Sequence, residues 1–460
     1  MADVELGAQS AVAGAAPPDG VQGGVPRGLS AEAIAGLSPL ARIRAILGGS
    51  AGNLVEWYDW FAYASFSLYF AKVFFPKGDQ TAQLLQTAAI FAVGFLARPV
   101  GAWIMGLYAD RSGRKAALIL SVSLMCLGSL IVALVPGYGS IGAAAPAILT
   151  AARLLQGLSV GGEYGASATY MSEMAGKKGR GFWSSFQFVT IIGGQLLALG
   201  VLIVLQHVLT KAQLGDWGWR VPFFIGAALA VVVFWIQRGL DETGSFHAAK
   251  AEGKGRSATH LLLIDHPVET GMIFILTSAG SLAFYAFTTY MQKFLTNTAH
   301  FTKDQATEIS AGSLVVYLLV HPLFGWIGDR VGRKVMLTGA FGALAVLTYP
   351  LLSSLAGASN AWTAFALVTL ALIALTGYTA VNAVVKSELF PTHIRALGVA
   401  LPYAMANAIF GGTAEYVALW FKGKKIESGF FIYVAVVCAI AAVTALRMRD
   451  TQKHSLIRED

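Results

Sequence analysis

Gly106-Leu107-Tyr108-Ala109-Asp110-Arg111-Ser112-Gly113-Arg114-Lys115 and Gly325-Trp326-Ile327-Gly328-Asp329-Arg330-Val331-Gly332-Arg333-Lys334 share one frame, G-x-x-x-D-R-x-G-R-K, and each stands between two long apolar runs. A second correspondence keeps nearly the same register. Ser172-Glu173-Met174 with Arg180 is echoed by Ser387-Glu388-Leu389 with Arg395. Positions 106 and 325 lie 219 residues apart and positions 172 and 387 lie 215 apart, so two separate loops repeat together and the chain reads as two halves of one pattern.

Of the 460 residues, 56% are hydrophobic and 13% charged, with a mean hydropathy of +0.62. A soluble domain carries roughly 25% charged residues, so the solvent for most of this surface is a bilayer. Apolar stretches near the roughly 20 residues that cross hydrocarbon as a helix recur along the chain. They fall at 46–70, 84–108, 116–135, 147–171, 183–209 and 221–237, then at 268–291, 310–328, 335–355, 362–385, 397–420 and 429–446. The predicted fold is an all-α polytopic membrane protein, with twelve transmembrane helices in two six-helix bundles, 46–237 and 267–446. A polar, flexible linker, 238–266, joins them. Residues 1–45, rich in Ala, Gly and Pro, read as a disordered tail without a signal-peptide core or cleavage site, and 447–460 as a second tail.

The net charge of +8 is concentrated in short loops on one side: Arg111, Arg114 and Lys115; Lys177, Lys178 and Arg180; Arg330, Arg333 and Lys334; Lys386 and Arg395. The positive-inside rule accounts for that distribution without nucleic acid and puts these loops, both tails and the linker in the cytoplasm. Lys422, Lys424 and Lys425 are the exception, in the last loop of the opposite side. Cys126 and Cys438 stand alone in apolar spans, so neither a disulfide nor a metal site is expected. No Walker frame is present, which leaves ATP out as the energy source. No nucleophile, His and acid grouping or appended soluble domain marks an enzyme or a sensor.

An ionisable group in a spanning helix costs at least ~2.5–3.5 kcal/mol on insertion scales, so each is a candidate functional residue. In the first span Asn53, Glu56, Asp59 and Tyr63 share one helical face. Arg153, Gln156, Glu163, Ser167 and Tyr170 do so in the fourth. Acids on one helix and an Arg on another suit proton coupling, in which a carboxylate holds or gives up its proton as the Arg moves away or returns. A fixed ion pair between the two helices is the alternative.

Arg98, followed by Pro99 in the second span, has no acid nearby in sequence; its planar fork suits a substrate carboxylate, unless the first or fourth helix supplies a partner. Polar stripes in the second half are Tyr285, Thr289 and Gln292; Thr376, Thr379 and Asn382; Tyr403, Asn407 and Glu415. They either orient a polar substrate or link helices. Lys293 is a second cation for a dicarboxylate or a side chain snorkelling to the interface. His321 is a titrating group or a packing residue. The repeated loops read as latches: Gly106, Gly113, Gly325 and Gly332 permit tight turns, and Asp110 is placed to pair with Arg114 or to face a helix N-terminus across the bundle interface. Asp329, Arg330, Arg333 and Lys334 repeat the set. A basic turn serving topology alone is the other reading.

The doubled loop resembles the signature of the major facilitator superfamily, which implies two bundles rocking about a midplane cavity. Gly52-Asn53-Leu54-Val55-Glu56-Trp57-Tyr58-Asp59 and Arg153-Leu154-Leu155-Gln156-Gly157-Leu158-Ser159-Val160-Gly161-Gly162-Glu163 are similar to the metabolite:proton symporter branch. In related proton-coupled sugar porters an Asp of the first helix and an Arg of the fourth form the coupling pair, which selects Asp59 and Arg153 here. Glu56 adds a second acid and leaves the proton carrier open between the two. Within the branch, 84–87, 165–173, 287–293 and 406–416 resemble the carriers of α-ketoglutarate (2-oxoglutarate). The resemblance implies a monomeric symporter of a small dicarboxylate in the bacterial inner membrane, driven by the proton gradient without a cofactor. Its substrate-binding set is Arg98, Asn53, Tyr63, Gln156, Tyr285, Gln292, Lys293, Asn382 and Asn407, and its proton-coupling set is Asp59, Glu56, Arg153 and Glu163. Neighbours in the branch carry citrate, shikimate, proline or betaine.

Overall fold

The structure, a computed structural model, describes residues 51–112, 114–160, 179–238, 265–391 and 394–455. The expected tail 1–45, most of the linker and Glu163 lie outside the described residues, as do the side chains of Asp110, Arg111, Arg114 and Lys115.

Helices of the first half are α1 (Ala51–Phe74), α2 (Gln80–Ser112), α3 (Arg114–Leu134), α4 (Ala144–Val160), α5 (Arg180–Val208) and α6 (Val221–Arg238). The second half begins with α7 (Pro267–Phe287), which a short helix, Met291–Asn297, extends after a turn. Next come α8 (Lys303–Val331) and α9 (Arg333–Ala356). Ala361–Thr379 and Asn382–Glu388 together make α10. In α11, Arg395–Ala406 passes through a π-helical turn, Asn407–Gly411, into Ala414–Gly423. Last is α12 (Ser428–Arg447). Among the described residues nine helices are long and apolar enough to cross a membrane. The remaining three are the polar-faced α1, the shorter apolar α3, and α4, which is described only to Val160.

Helix pairing repeats between the halves. In the first, α2 packs on α4, α3 on α4 and α6, and α1 on α5; in the second, α8 packs on α10, α9 on α10 and α12, and α7 on α11. Between halves, α5 lies along α8 and α2 along the far segment of α11. Solvation is inverted relative to a soluble protein. Trp103, Leu134, Val208, Trp235, Val346 and Trp362 point outward, while Asp59, Arg98, Arg153, Gln156, Lys293 and Glu415 are buried. Outward apolar side chains match lipid tails, and polar groups are affordable only where other helices meet them.

Sequence-based boundaries differ where polar residues extend or interrupt a helix. The eighth span begins at Lys303, seven residues before the expected 310, because Thr302 and Gln305 form a reciprocal capping box, each accepting from the other's backbone N–H at 3.2 Å. Three second-half helices expected to be continuous are broken. In α7 the Thr288 hydroxyl donates to the Phe284 carbonyl at 2.6 Å, and Tyr290 N–H reaches back five residues to Tyr285. In α10 Val381 N–H turns to Tyr378, three residues back. In α11 Gly412 N–H bonds Asn407, five residues back, which creates the π turn.

Candidate functional site

The α1 face predicted from spacing is a real face, but its members serve different partners. Asp59 is fully buried, with both carboxylate oxygens engaged. Ser129 of α3 donates to Oδ1 at 2.5 Å, Gln156 Nε2 of α4 donates to Oδ2 at 2.6 Å, and Arg153 Nη1 reaches Oδ2 at 3.5 Å. Arg153 Nη1 also donates to Gln156 Oε1 at 2.7 Å. Gln156 therefore bridges acid and base, accepting from Arg153 and donating to Asp59 beside their longer direct contact. The Arg153 guanidinium lies over Trp60 at 3.9 Å and over Tyr63 at 4.5 Å, both from the helix that carries Asp59. Tyr63 is fixed in turn by donating to the Thr87 carbonyl at 3.1 Å. Asn53 accepts from Trp57 Nε1 at 2.9 Å and approaches Thr190 of α5 at 3.4 Å, a link between helices.

Arg98 is buried among aromatic faces, 3.8 Å from the Phe95 ring centre, 4.2 Å from Trp60 and 5.1 Å from Trp57. Its Nε and Nη2 have no hydrogen-bond partner among the described residues. Tyr285, Glu56 and Tyr403 lie within electrostatic reach of its charge. The two acids of α1 thus divide, Asp59 toward Arg153 and Glu56 toward Arg98.

A cavity lies between the halves. Trp57 of α1 and Phe188 and Ile191 of α5 form one wall. The other is built from three i, i+4 polar pairs, Ser281 with Tyr285 on α7, Tyr378 with Asn382 on α10, and Tyr403 with Asn407 on α11. Each pair stands at or beside one of the helix breaks. Tyr285, Asn382 and Asn407 belong to the expected substrate set and Tyr403 to an expected polar stripe; Ser281 and Tyr378 are additions. Their signal was the same three-to-four residue spacing that revealed the α1 face.

Lys293 neither snorkels nor stands alone. Its Nζ donates to Glu415 Oε2 at 2.6 Å, with the two side chains 1% and 3% exposed. Neighbouring Gln292 donates to Thr307 of α8 at 2.9 Å. His321 has both ring nitrogens engaged, at 2.6 Å from the Tyr317 carbonyl and 2.8 Å from Thr379 Oγ1, and stacks on Phe188. It is a packing residue in this arrangement. Lys422, one of the lysines expected on the opposite side, lies 3.4 Å from Glu427.

The halves are tied at both ends of the cavity. At the motif end Asp329 accepts from Gly181 N–H at 2.8 Å and Phe182 N–H at 2.9 Å, supplying a cap to α5, whose own N-cap residue, Gly179, has no side chain to offer. Arg333 Nη2 holds the same carboxylate at 2.8 Å. A Cβ on Gly181 would sit 2.6 Å from the Gly325 carbonyl oxygen, so only glycine lets these backbones meet. Gly332, at φ +101°, makes the turn that follows. The segment after α12 straps this end, with Thr451 donating to Glu388 at 2.7 Å and Gln452 to the Asp329 carbonyl at 2.7 Å. At the opposite end Gln206 donates to Tyr69 at 2.7 Å and to Thr307 at 3.1 Å, Lys303 Nζ donates to the Leu68 carbonyl, and Asn297 donates to Thr81 at 3.1 Å.

Residues 45–265 match the family described as "Sugar (and other) transporter", and residues 273–459 match "Major Facilitator Superfamily". The chain is 51% identical over 417 residues to an alpha-ketoglutarate permease of Escherichia coli (strain K12), spanning 90% of this chain and 95% of that protein. It is 33% identical over 420 residues to a citrate-proton symporter of Salmonella typhi, spanning 88% and 94%. Among solved structures it resembles the proton:xylose symporter XylE from E. coli bound to 6-bromo-6-deoxy-D-glucose, with a TM-score of 0.74 at 18% identity over 89% of this chain and 96% of that one. At that identity the likeness speaks for the fold.

Proposed function

The chain belongs to the major facilitator superfamily, and from that premise we propose that it is a proton-coupled symporter taking up a small dicarboxylate, α-ketoglutarate, by alternating access. The observation that carries the proposal is Arg98. It is a buried guanidinium with two hydrogen-bonding positions unpaired among the described residues, stacked on Trp57 of the cavity wall and electrostatically coupled to Tyr285 and Tyr403. A buried cation with spare donors favours an anion, and a planar fork favours a carboxylate. The 51% identity to an alpha-ketoglutarate permease supports the choice of dicarboxylate.

In this reading Arg98 and Lys293 receive the two carboxylates, while Tyr285, Asn382 and Asn407 orient the carbon chain. Asn53, Tyr63, Gln156 and Gln292 hold those ligands in place. Asp59 takes up a proton when Arg153 is drawn from it and releases it when the pair re-forms, with Glu56 and Glu163 as further acids of the first half. The two decapeptide loops act as latches at the cytoplasmic end, and the protein works as a monomer in the inner membrane with both tails in the cytoplasm.

Uptake of labelled α-ketoglutarate into proteoliposomes, with an imposed pH gradient and with citrate, shikimate, proline and betaine as competitors, tests the proposal. Acid outside should drive accumulation, and unlabelled α-ketoglutarate should compete best. Binding without accumulation under any gradient would make the protein a sensor, and stronger competition by another branch substrate would replace the cargo.

A further inference from the structure

Resting on that reading, we infer that Glu415 is a second proton carrier: the distal carboxylate of the entering substrate takes its place on Lys293 Nζ while the 2-oxo acid end lies on Arg98, and Glu415 leaves as the neutral acid. The two residues are 122 positions apart, and no periodicity links them, yet they meet at 2.6 Å in the interior. Each sits beyond the break of a helix that lines the cavity. Tyr285 precedes Lys293 on the α7 side, with the turn at Thr288–Tyr290 between them, and Asn407 precedes Glu415 in α11, at the start of the π turn. The pair therefore joins the two displaced segments that continue the cavity wall toward the opposite end.

Charge counting favours exchange over addition. Lys293 carries one positive charge and Glu415 one negative, so the resting pair is neutral. A second ionised carboxylate arriving on Lys293 would leave one uncompensated negative charge in a medium that solvates it poorly. Binding one proton on Glu415 restores neutrality. That proton enters with the substrate and goes back to water when the substrate leaves Lys293 and Glu415 ionises to re-form the pair, so one proton is bound and one released per cycle, with no other bond changed. The titratable groups that act on Glu415 are Lys293 and Tyr290 from the α7 side and Tyr63 from α1. Helices α2 and α12 also pack on this segment. The charged residues of α2 are Arg98, Asp110 and Arg111, and that of α12 is Arg447. Tyr63 lies under the Arg153 guanidinium at 4.5 Å and also feels the Glu415 charge, so one phenol is acted on by both the first-half and second-half pairs.

The test compares protons taken up on binding by the full-length protein in nanodiscs, in weak buffer with a pH indicator, at saturating α-ketoglutarate or 2-oxovalerate. The second compound keeps the 2-oxo acid and lacks the distal carboxylate. Wild type should take up about one proton more with α-ketoglutarate than with 2-oxovalerate. That difference should vanish in Glu415→Gln and survive in Asp59→Asn. Equal uptake with the two ligands in wild type overturns the inference even if Glu415→Gln fails to fold, and so does a difference that persists in Glu415→Gln. Absence of α-ketoglutarate binding by wild type is a separate outcome that sinks the proposed function as well.

Discussion

An arginine inside a spanning helix is tolerated only where the bundle interior meets it, and Arg98 is met by three aromatic faces, with Nε and Nη2 unpaired among the described residues. Arg98→Lys keeps the charge and loses both the planar fork and the stacking, so α-ketoglutarate binding should weaken by about 1.5–3 kcal/mol, the usual worth of a charged hydrogen bond. Calorimetric titration measures it, and unchanged affinity would make Arg98 structural. Asp59 makes a different forecast. Asp59→Asn can still bond Ser129 and Gln156 but takes up no proton at this position, so accumulation driven by a pH gradient should fall to what the Glu415 proton alone supports while exchange of internal for external substrate continues; Glu56→Gln should give the milder defect. Wild-type accumulation by Asp59→Asn would move the proton site elsewhere. The polar faces of the first and fourth helices were legible from their spacing, while the choice of Asp59 with Arg153 rested on the resemblance to proton-coupled sugar porters. The Lys293 and Glu415 pair was not legible: Glu415 belongs to a polar stripe of its span, but nothing in either span says which partner its carboxylate meets on the other helix. Arg98 was legible as an anomaly, and its division of α1 with Glu56 became visible only with the helices in place.

At the scale of elements, the motif-end latch is a helix-capping contact made between halves. Gly325→Ala would place a Cβ 2.5 Å from the Gly181 carbonyl oxygen and 3.0 Å from Phe182 Cα, so α5 and α8 should be pushed apart at that end. An overpacking cost of about 1–3 kcal/mol against the closed latch is expected. Spin-label distances across the motif end should lengthen, with membrane insertion unchanged and transport slowed; an unaltered distance distribution would show that the backbones yield elsewhere. Asp329→Asn removes the charge that faces the α5 dipole and Arg333, and should shift the same distances in the same direction but less. The number of spans was readable because lipid demands about 20 apolar residues each time. Their breaks were hidden, since α7, α10 and α11 are interrupted by Thr, Asn and Gly in otherwise apolar runs, not by proline at the break, and those residues also occur in unbroken membrane helices.

For the whole molecule, the cargo's charge sets the energetics. A dianion entering an inside-negative compartment is opposed by roughly 2.3 kcal/mol per charge per 100 mV, and two accompanying protons cancel that opposition. An imposed inside-negative potential should therefore not slow α-ketoglutarate uptake in proteoliposomes, and clear inhibition would mean fewer than two protons per turnover. The two-half plan was written in the repeated loops, while the way the halves close was not, because the contacts at the opposite end come from Gln206, Lys303 and Asn297, single side chains without a motif. The strap formed by Thr451 and Gln452 also bears on biogenesis. It follows the last span in the chain, so during synthesis every helix can enter the bilayer before Glu388 and the Asp329 carbonyl receive these donors. A nascent carrier is thus inserted with this fastening undone, and the order of translation itself makes the tying of α8 to α10 at the motif end one of the final acts of assembly.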